Sequence, residues 1–404
     1  MRPAAGPEQF LFLTPVWGAK YVERYLSASL PSQLADGNLG AVPPGRGKYL
    51  IFTRREHVGT IRQSPAFRQL QSMMPVALRS LDDLPSPSSF EHPHVLQTAA
   101  YTRGIRAGAK KDTAYAFLTP DGIYADGAFR SMVRFAESGR RVILLATIRM
   151  TAAGALACVE RHRTPGAAHA AVPPRRLVRA MLDNLHPISE SHIVNGGAVG
   201  AAQHLYWKVG DNGLVAHGFH LHPFLVWPRN RDARIRNTLD DEYIANACPD
   251  QSDWFVVPDS EELCVCEFSE PGHKSGFVTT LPLIEEEIVQ FILYQTCAAH
   301  RTQVRQQIRF QSADVPEDLW SATGAIAEEF VCRHLDGFER AASFHTAPRP
   351  GILKRLLNGK MLAYAGRLEG ELHGLRTELR ETRIHLARLV RKLGEREACE
   401  HAGA

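Results

Sequence analysis

Residues 10–30 contain the stretch that decides the fold, FLFLTPVWGAKYVERYLSASL. The apolar run at 10–13 is typical of a buried strand, and the Thr14-Pro15 pair ends it. Apolar residues then recur at helical spacing from Tyr21 to Leu30. The sequence therefore predicts that the chain opens with a strand, a short loop and a helix.

The same pattern repeats through the first 150 residues. Further strands are predicted at 49–53, 74–77, 114–118 and 141–146, and helices at 56–70, 94–109 and 126–138. Strands that alternate with helices favour an α/β fold, with a mainly parallel sheet flanked by helices. Segment 84–89 is rich in Pro and Ser and is therefore predicted to be a loop.

The second half of the chain has a different order of elements. A helix is predicted at 175–185, a strand-rich part at 204–268, and helices at 284–307 and 316–342. We therefore expect three regions: an α/β half (1–165), a half with the strand-rich part and closing helices (166–345), and a C-terminal helix (346–404).

The C-terminal helix is predicted to form a coiled coil, because apolar residues alternate in steps of three and four from 365 to 393. With Leu372 at heptad position a, a parallel pair would bring Glu371 close to Arg376 of the second helix, and Glu378 close to Arg383. This pattern favours a parallel homodimer through residues 361–393. A helix that folds back on its own domain is the alternative.

Composition excludes several classes of protein. The formal charge is +4, which is too small for the basic surface of a typical nucleic-acid binder. No run of 18 apolar residues and no export signal is present, so we expect a cytoplasmic protein that could also work at the inner face of the membrane. The Cys264–Cys266 pair lies in an apolar run without a second close pair, which favours buried thiols over a zinc site.

Two loops after predicted strands could bind a ligand, since α/β proteins bind ligands beyond the carboxyl ends of parallel strands. The first is Pro15–Gly18, where Trp17 could stack on a base or a sugar or simply be part of a tight turn. The second follows the strand at 114–118, where Asp121 could hold a divalent cation or form a turn. Asp126 is predicted to cap the following helix.

These features resemble the nucleotide-sugar glycosyltransferases of the GT-A fold. The likeness is carried by residues 10–30 and 114–126: an apolar strand with a Pro-containing loop, and an acidic residue after a later strand. It implies that Pro15, Val16, Trp17 and Gly18 seat a nucleotide and that Asp121 meets the diphosphate, directly or through Mn²⁺ or Mg²⁺. It also implies that residues 1–165 form the nucleotide-binding half and residues 166–345 the catalytic and acceptor-binding half. The usual Asp-x-Asp motif of this family is absent, so the possibility of a transferase that needs no metal ion stays open.

A histidine group and an acidic group are further candidates. His220 and His222 would share one face of a strand and could ligate a metal ion with Asp121; the resemblance also implies a late histidine at the metal or phosphates. Asp240 and Asp241 could supply the general base that deprotonates an acceptor hydroxyl. A helix start is the alternative for these two acids.

The sequence is therefore interpreted as a glycosyltransferase that moves a sugar from a nucleotide-sugar donor to a carbohydrate or glycolipid acceptor, such as a surface-polysaccharide precursor. Two alternatives remain. One is a metal-dependent hydrolase that uses His220, His222, Asp240 and Asp241, and the other is a non-catalytic scaffold dimerised by the coiled coil.

Overall fold

The computed structural model describes residues 6–83, 93–196, 202–235, 239–240, 243–273 and 283–346. The chain divides into two compact units, residues 1–338 and 339–404. Only the end of one helix is described in the second unit. The predicted loop at 84–89, Asp241 and the heptad segment 361–393 lie outside the described residues.

The strands of the described residues are, in chain order, β1 (Gln9–Pro15), β2 (Gly47–Thr53), β3 (Val76–Ser80), β4 (Thr113–Phe117), β5 (Gly122–Tyr124), β6 (Val142–Leu145), β7 (Ile148–Thr151), β8 (His204–Val209), β9 (Gly213–Gly218), β10 (His222–Val226), β11 (Trp254–Val256), β12 (Val265–Ser269) and β13 (Ile308–Gln311). The α-helices are α1 (Ala19–Arg24), α2 (Leu30–Gln33), α3 (Val58–Gln63), α4 (Pro65–Met73), α5 (Pro93–Gly108), α6 (Ala128–Glu137), α7 (Ala152–Arg161), α8 (Pro174–Asp183), α9 (Pro187–Glu190), α10 (Tyr243–Ala247), α11 (Glu285–Gln295), α12 (Ala298–Gln303) and α13 (Glu317–Thr346).

The central sheet has seven strands in the order β3-β2-β1-β4-β10-β6-β11. Strand β1 pairs in parallel with β2 and β4, so Leu13 lies opposite both Leu50 and Phe117. Strand β10 is antiparallel to both of its neighbours, β4 and β6. The expected mixed α/β fold, with a mostly parallel sheet flanked by helices, is therefore confirmed, and this arrangement is consistent with a GT-A-like fold.

Both faces of the central sheet are covered, which explains why its strands read as continuous apolar runs. On one face Leu11 and Leu13 of β1 pack in the same cluster as Tyr101 of α5. On the other face Phe10 and Phe12 pack with Phe129 of α6. Successive side chains of a strand point to opposite faces, so one short run supplies both cores.

A second sheet has the strand order β5-β12-β7. In the chain, β5 comes after the carboxyl end of β4, and β7 comes after the carboxyl end of β6. Strand β12 lies between them, parallel to β7 and antiparallel to β5. Cys264 and Cys266 are buried and unpaired at this sheet, as predicted. The pairing of these strands was not predicted, because strands of three to five residues are too short for a periodic pattern.

A third sheet, in the order β13-β9-β8, packs against the helices of the second half. Trp207 and Trp320 are buried in its core, together with Ile292 of α11. None of the helices in the described residues is long and apolar enough to cross a membrane.

Several predicted elements need correction. The helix predicted at 56–70 is divided at Ser64, because Pro65 begins a new helix and the residue before a proline avoids helical geometry. The third strand begins at Val76 rather than at residue 74. Asp126 does not cap α6: Gly127, with φ +92°, takes the cap position, while the Asp126 carboxylate accepts a hydrogen bond from Gly37 N–H at 2.9 Å.

Candidate functional site

The parallel strands end at one edge of the central sheet, and the candidate site lies there. Pro15, Thr53, Phe117 and Leu145 are the last residues of β1, β2, β4 and β6. Because β10 runs the other way, its first residue, His222, lies opposite Leu145 at the same edge. The structure thus brings the β1 loop, the β4 loop that contains Asp121 and the start of β10 to one edge.

The loop Pro15–Gly18 is held by hydrogen bonds from both sides. Val16 N–H donates to the Phe52 carbonyl at 2.8 Å, and Gly18 N–H donates to His57 Nε2 at 3.0 Å. A backbone N–H can only donate, so His57 Nε2 accepts and its ring proton lies on Nδ1. Glu56 Oε1 lies 3.2 Å from the same nitrogen, but Nε2 cannot donate to it while it accepts from Gly18.

Gly18 also has a backbone conformation, φ +79°, that favours glycine. Within the loop, Val16 is buried, whereas Trp17 is half-buried, so part of Trp17 stays accessible. The loop therefore offers an aromatic side chain on a fixed backbone, which could stack on a base or sugar.

A cluster of three charged side chains lies next to this edge: Asp121, Arg149 and Glu267. Glu267 of β12 lies directly opposite Arg149 of β7, and Arg149 Nη2 is 2.5 Å from Glu267 Oε2. Arg149 Nη1 is 3.8 Å from Asp121 Oδ2. The side chains of Asp121, Glu267 and Arg149 are 13%, 18% and 23% exposed, so each keeps some access to a ligand.

The two carboxylates of this cluster have opposite pKa shifts. Burial and, to a smaller extent, the nearby Glu267 raise the pKa of Asp121 to about 6, although Arg149 lowers it. Burial also raises the pKa of Glu267, but Arg149 and, to a smaller extent, His222 lower it below its ordinary value. Glu267 is therefore the ionised partner of Arg149, while Asp121 can exchange a proton close to neutral pH.

Basic and phenolic groups extend the cluster towards α1. Arg24 Nη2 and Lys20 Nζ lie 2.6 Å and 3.2 Å from the Glu270 carboxylate. Burial, followed by the charge of Asp121, raises the pKa of Tyr21, which places this hydroxyl in the field of the cluster. Two cationic groups, Arg24 and Lys20, and the Tyr21 hydroxyl thus lie in one neighbourhood with the carboxylates.

Histidines form one wall of the site. His222 Nε2 lies 2.9 Å from the Phe117 carbonyl, and the ring is close enough to Glu267 to contribute to the lowering of the pKa of that carboxylate. His204 stacks on Tyr206 and meets the ring of His192 edge-on. Burial lowers the pKa of His204 to about 3 and that of His192 to about 4, so both rings are neutral near pH 7.

His220 and Asp240 lie farther along this wall. His220 is in the bend between β9 and β10 rather than on a strand, so the expected alternation with His222 does not apply. Its Nε2 lies 3.0 Å from the Gln295 carbonyl, and its ring centroid is 4.5 Å from that of His300. His300 Nε2 donates to the Asp240 backbone carbonyl at 2.6 Å. Asp240 and His220 are therefore linked through His300.

Around Asp121, the described side chains supply a cation rather than a group of metal ligands. Within the described part of the chain, no three His, Cys, Asp or Glu residues are grouped to hold a metal. Moreover, the Arg149 guanidinium lies between Asp121 and Glu267 and supplies the positive charge that an ion would bring. The metal role predicted for Asp121, His220 and His222 stays a prediction.

Arg149 and Glu267 were missed by sequence reasoning. Each is a lone charged residue within an apolar run, at 142–150 and 263–268. A charge in a buried strand needs a partner, so these two runs did carry a signal. The sequence alone does not show that the two strands are neighbours.

Comparisons with known proteins give no family assignment, since no family model and no curated protein matches the chain. Two solved structures that resemble it are each 10% identical in sequence. One is the mannosyltransferase PcManGT from Pyrobaculum calidifontis in complex with GDP-Man and Mn²⁺, with a TM-score of 0.33 over 91% of this chain and 81% of that one. The other is described as a glucose-1-phosphate thymidylyltransferase from Bacillus anthracis in complex with a sucrose, with a TM-score of 0.24 over 36% of this chain and 56% of that one, little more than half its length. At such TM-scores neither likeness bears on function.

Proposed function

We propose that this protein transfers a sugar from a nucleotide-sugar donor to an acceptor hydroxyl. The observation that supports the proposal most is the position of the Asp121–Arg149–Glu267 cluster. It lies at the carboxyl edge of the parallel strands, the edge at which the Pro15–Gly18 loop presents Trp17. Nucleotide ligands bind at this edge of open α/β sheets.

Each group has a role in the proposed reaction. Trp17 and the backbone of Pro15–Gly18 hold the nucleotide, and Asp121 orients the diphosphate through Arg149. During transfer, the bond from the anomeric carbon to the diphosphate oxygen breaks and a bond to the acceptor oxygen forms. The leaving diphosphate gains negative charge, which the Arg149 guanidinium stabilises by charge-assisted hydrogen bonds.

The acceptor hydroxyl must lose its proton, and we assign this step to Asp240 or Asp241. Asp121 is a competing base, because a carboxyl group with a pKa of about 6 is close to the best value for general base catalysis near neutral pH. Asp240→Asn and Asp121→Asn separate the two assignments. The variant that loses transfer but still binds the donor identifies the residue that acts as the base.

The test is a thermal-shift screen against nucleotide sugars and free nucleotides, with and without Mn²⁺ or Mg²⁺. A donor at 100 times its Kd adds about 2.7 kcal/mol of stability if it binds only the native state. We expect one nucleotide sugar to raise the melting temperature, and the Arg149→Gln variant to lose that rise. If no nucleotide sugar raises it, the transferase proposal is wrong.

We also propose that the chain forms a parallel homodimer through residues 361–393, on the basis of the heptad pattern. Removal of residues 361–404 should then halve the mass measured in solution by light scattering. An unchanged mass would contradict this part of the proposal.

A further inference from the structure

A groove between α7 and α8 is the strongest feature that the proposed function does not use. Its volume is about 310 Å³, at the lower end of the range of small-molecule pockets, about 300–1,000 Å³. Small residues keep it open, namely Gly154 and Ala157 on α7 and Ala180 on α8. Four basic side chains also line it: Arg161, His162, Arg176 and Arg179.

The helices are antiparallel around this groove, because Gly154, early in α7, packs against Asn184, just after α8. A methyl group added at Gly154 would lie 2.4 Å from Asn184 Cγ, so the helices are in close contact there. Arg161 and Arg176 are therefore both at the other end of the groove. That end combines two guanidinium groups with the His162 ring.

The acidic side chains near the groove do not neutralise this end. Arg179 Nη2 and Nε lie 2.6 Å and 3.0 Å from the Asp183 carboxylate, so these two charges cancel. Arg175, the neighbour of Arg176, is bound by Glu261 and Asp314. In the part of the chain that the structure describes, no carboxylate pairs with Arg161 or Arg176.

Helix stability explains Arg161, which lies in the last turn of α7, where the dipole favours a cation, but it does not explain Arg176. Arg176 lies in the first turn of α8, where the helix dipole opposes a positive charge. Arg161 lies at the same end, so the two guanidinium groups repel each other. An anion bound between them would attract both. Guanidinium groups bind phosphate through two parallel hydrogen bonds, which suits a phosphate more than a neutral ligand.

We propose that the α7–α8 groove is a second binding site, which holds the phosphate group of a small phosphorylated sugar between Arg161 and Arg176. The neutralised end, lined by Asp183 and Asn184, faces the sugar hydroxyl groups. The site is separate from the donor cluster and does not depend on the proposed transfer reaction.

The test is calorimetric titration of the full-length protein with glucose 1-phosphate, glucose and inorganic phosphate. We expect saturable binding of glucose 1-phosphate at the groove, weaker binding of phosphate and none of glucose. Affinity should fall at least tenfold in Arg161→Gln/Arg176→Gln and also in Ala157→Glu, which adds a carboxylate to the groove. Higher salt should weaken binding, because the charges are exposed.

Two controls separate this site from the donor site. Arg106→Gln/Arg305→Gln removes two exposed arginines elsewhere and should bind glucose 1-phosphate like the native protein. Arg149→Gln should also retain that binding, while Arg161→Gln/Arg176→Gln should retain any stabilisation by a nucleotide sugar. The proposal is overturned if the native protein does not bind glucose 1-phosphate, or if Arg161→Gln/Arg176→Gln binds it equally well.

Discussion

Arg149 and Glu267 lie directly opposite each other on the parallel strands β7 and β12, with 2.5 Å between Nη2 and Oε2. Their neighbours along the strands, Ile148 and Cys266, point into the apolar core. Because successive side chains of a strand point to opposite faces, Arg149 and Glu267 point away from that core. This pair is the fixed part of the candidate site, and Asp121 and the histidine wall are arranged around it.

The first prediction concerns Arg149. Arg149→Leu leaves Asp121 and Glu267 close together without a cation. We expect a loss of about 1–3 kcal/mol in the free energy of unfolding, less than for a fully buried pair because all three side chains are partly exposed. Arg149→Lys keeps the charge and should lose less. Urea denaturation measures both variants, and equal stability of Arg149→Leu and the native protein would contradict the described ion pair.

The second prediction concerns Asp121 and pH. Its pKa in the folded protein is about 6, above the ordinary value of 3.8, so the folded state holds the proton more tightly than the unfolded state. The stability that this group contributes is thus complete below pH 3.8 and is lost as the pH rises through 6. Asp121→Asn should be more stable than the native protein by about 1–3 kcal/mol at pH 7.5, and this difference should shrink towards pH 4.

The control for this experiment is Asp36→Asn, since Asp36 is exposed. Its stability relative to the native protein should not change over the same pH range. If Asp121→Asn behaves like Asp36→Asn, Asp121 does not have a raised pKa.

The third prediction uses two glycines with nearly the same positive φ. Gly18 has φ +79° and Gly45 has φ +76°, and a methyl group on either would meet no atom within 4 Å. Alanine at either position should therefore cost stability through the backbone rather than through a clash, about 1–3 kcal/mol. Only Gly18→Ala should also weaken nucleotide-sugar binding in the thermal-shift assay, because it disturbs the loop that contains Trp17. Equal donor binding by the two variants would show that this loop does not seat the nucleotide.

The fourth prediction concerns the buried hydroxyl group of Tyr49, which supports strand β1 just before the loop. It lies 2.6 Å from Thr14 Oγ1, donates to Gln33 Oε1 at 2.7 Å and accepts from the Tyr25 hydroxyl at 3.2 Å. Tyr49→Phe leaves buried polar atoms without partners, and we expect it to cost about 1–3 kcal/mol. Tyr25→Phe removes only one of these bonds and should cost less. The order of the two unfolding midpoints in urea is the measurement, and the reverse order would contradict the network.

The sequence predicted the large sheet because its central strands are covered on both faces. The run at 10–13 supplies Phe10 and Phe12 to one core and Leu11 and Leu13 to the other, so the run appears wholly apolar. The position of the Pro15–Gly18 loop and of Asp121 followed from the rule that ligands bind beyond the carboxyl ends of parallel strands.

The small sheet and its charged pair could not be predicted in the same way. Strand β12 joins β7 across a separation of 118 residues between Arg149 and Glu267, and short strands contain no information about their partners. His220 was placed on a strand because the histidines alternate, but the chain bends there. Local sequence patterns therefore predicted the edge of the sheet at which the proposed site lies, while the partners of its charged residues depend on tertiary pairing.

The late arrival of β12 has a consequence for synthesis on the ribosome. Strands β5 and β7 emerge well before the segment that must enter between them. Until that segment has left the exit tunnel, both short strands lack their only strand partner in the described small sheet, and Arg149 has no Glu267 to bind. A nascent chain can therefore assemble most of the large sheet early, but it gains a complete candidate site only after residue 269 has been made.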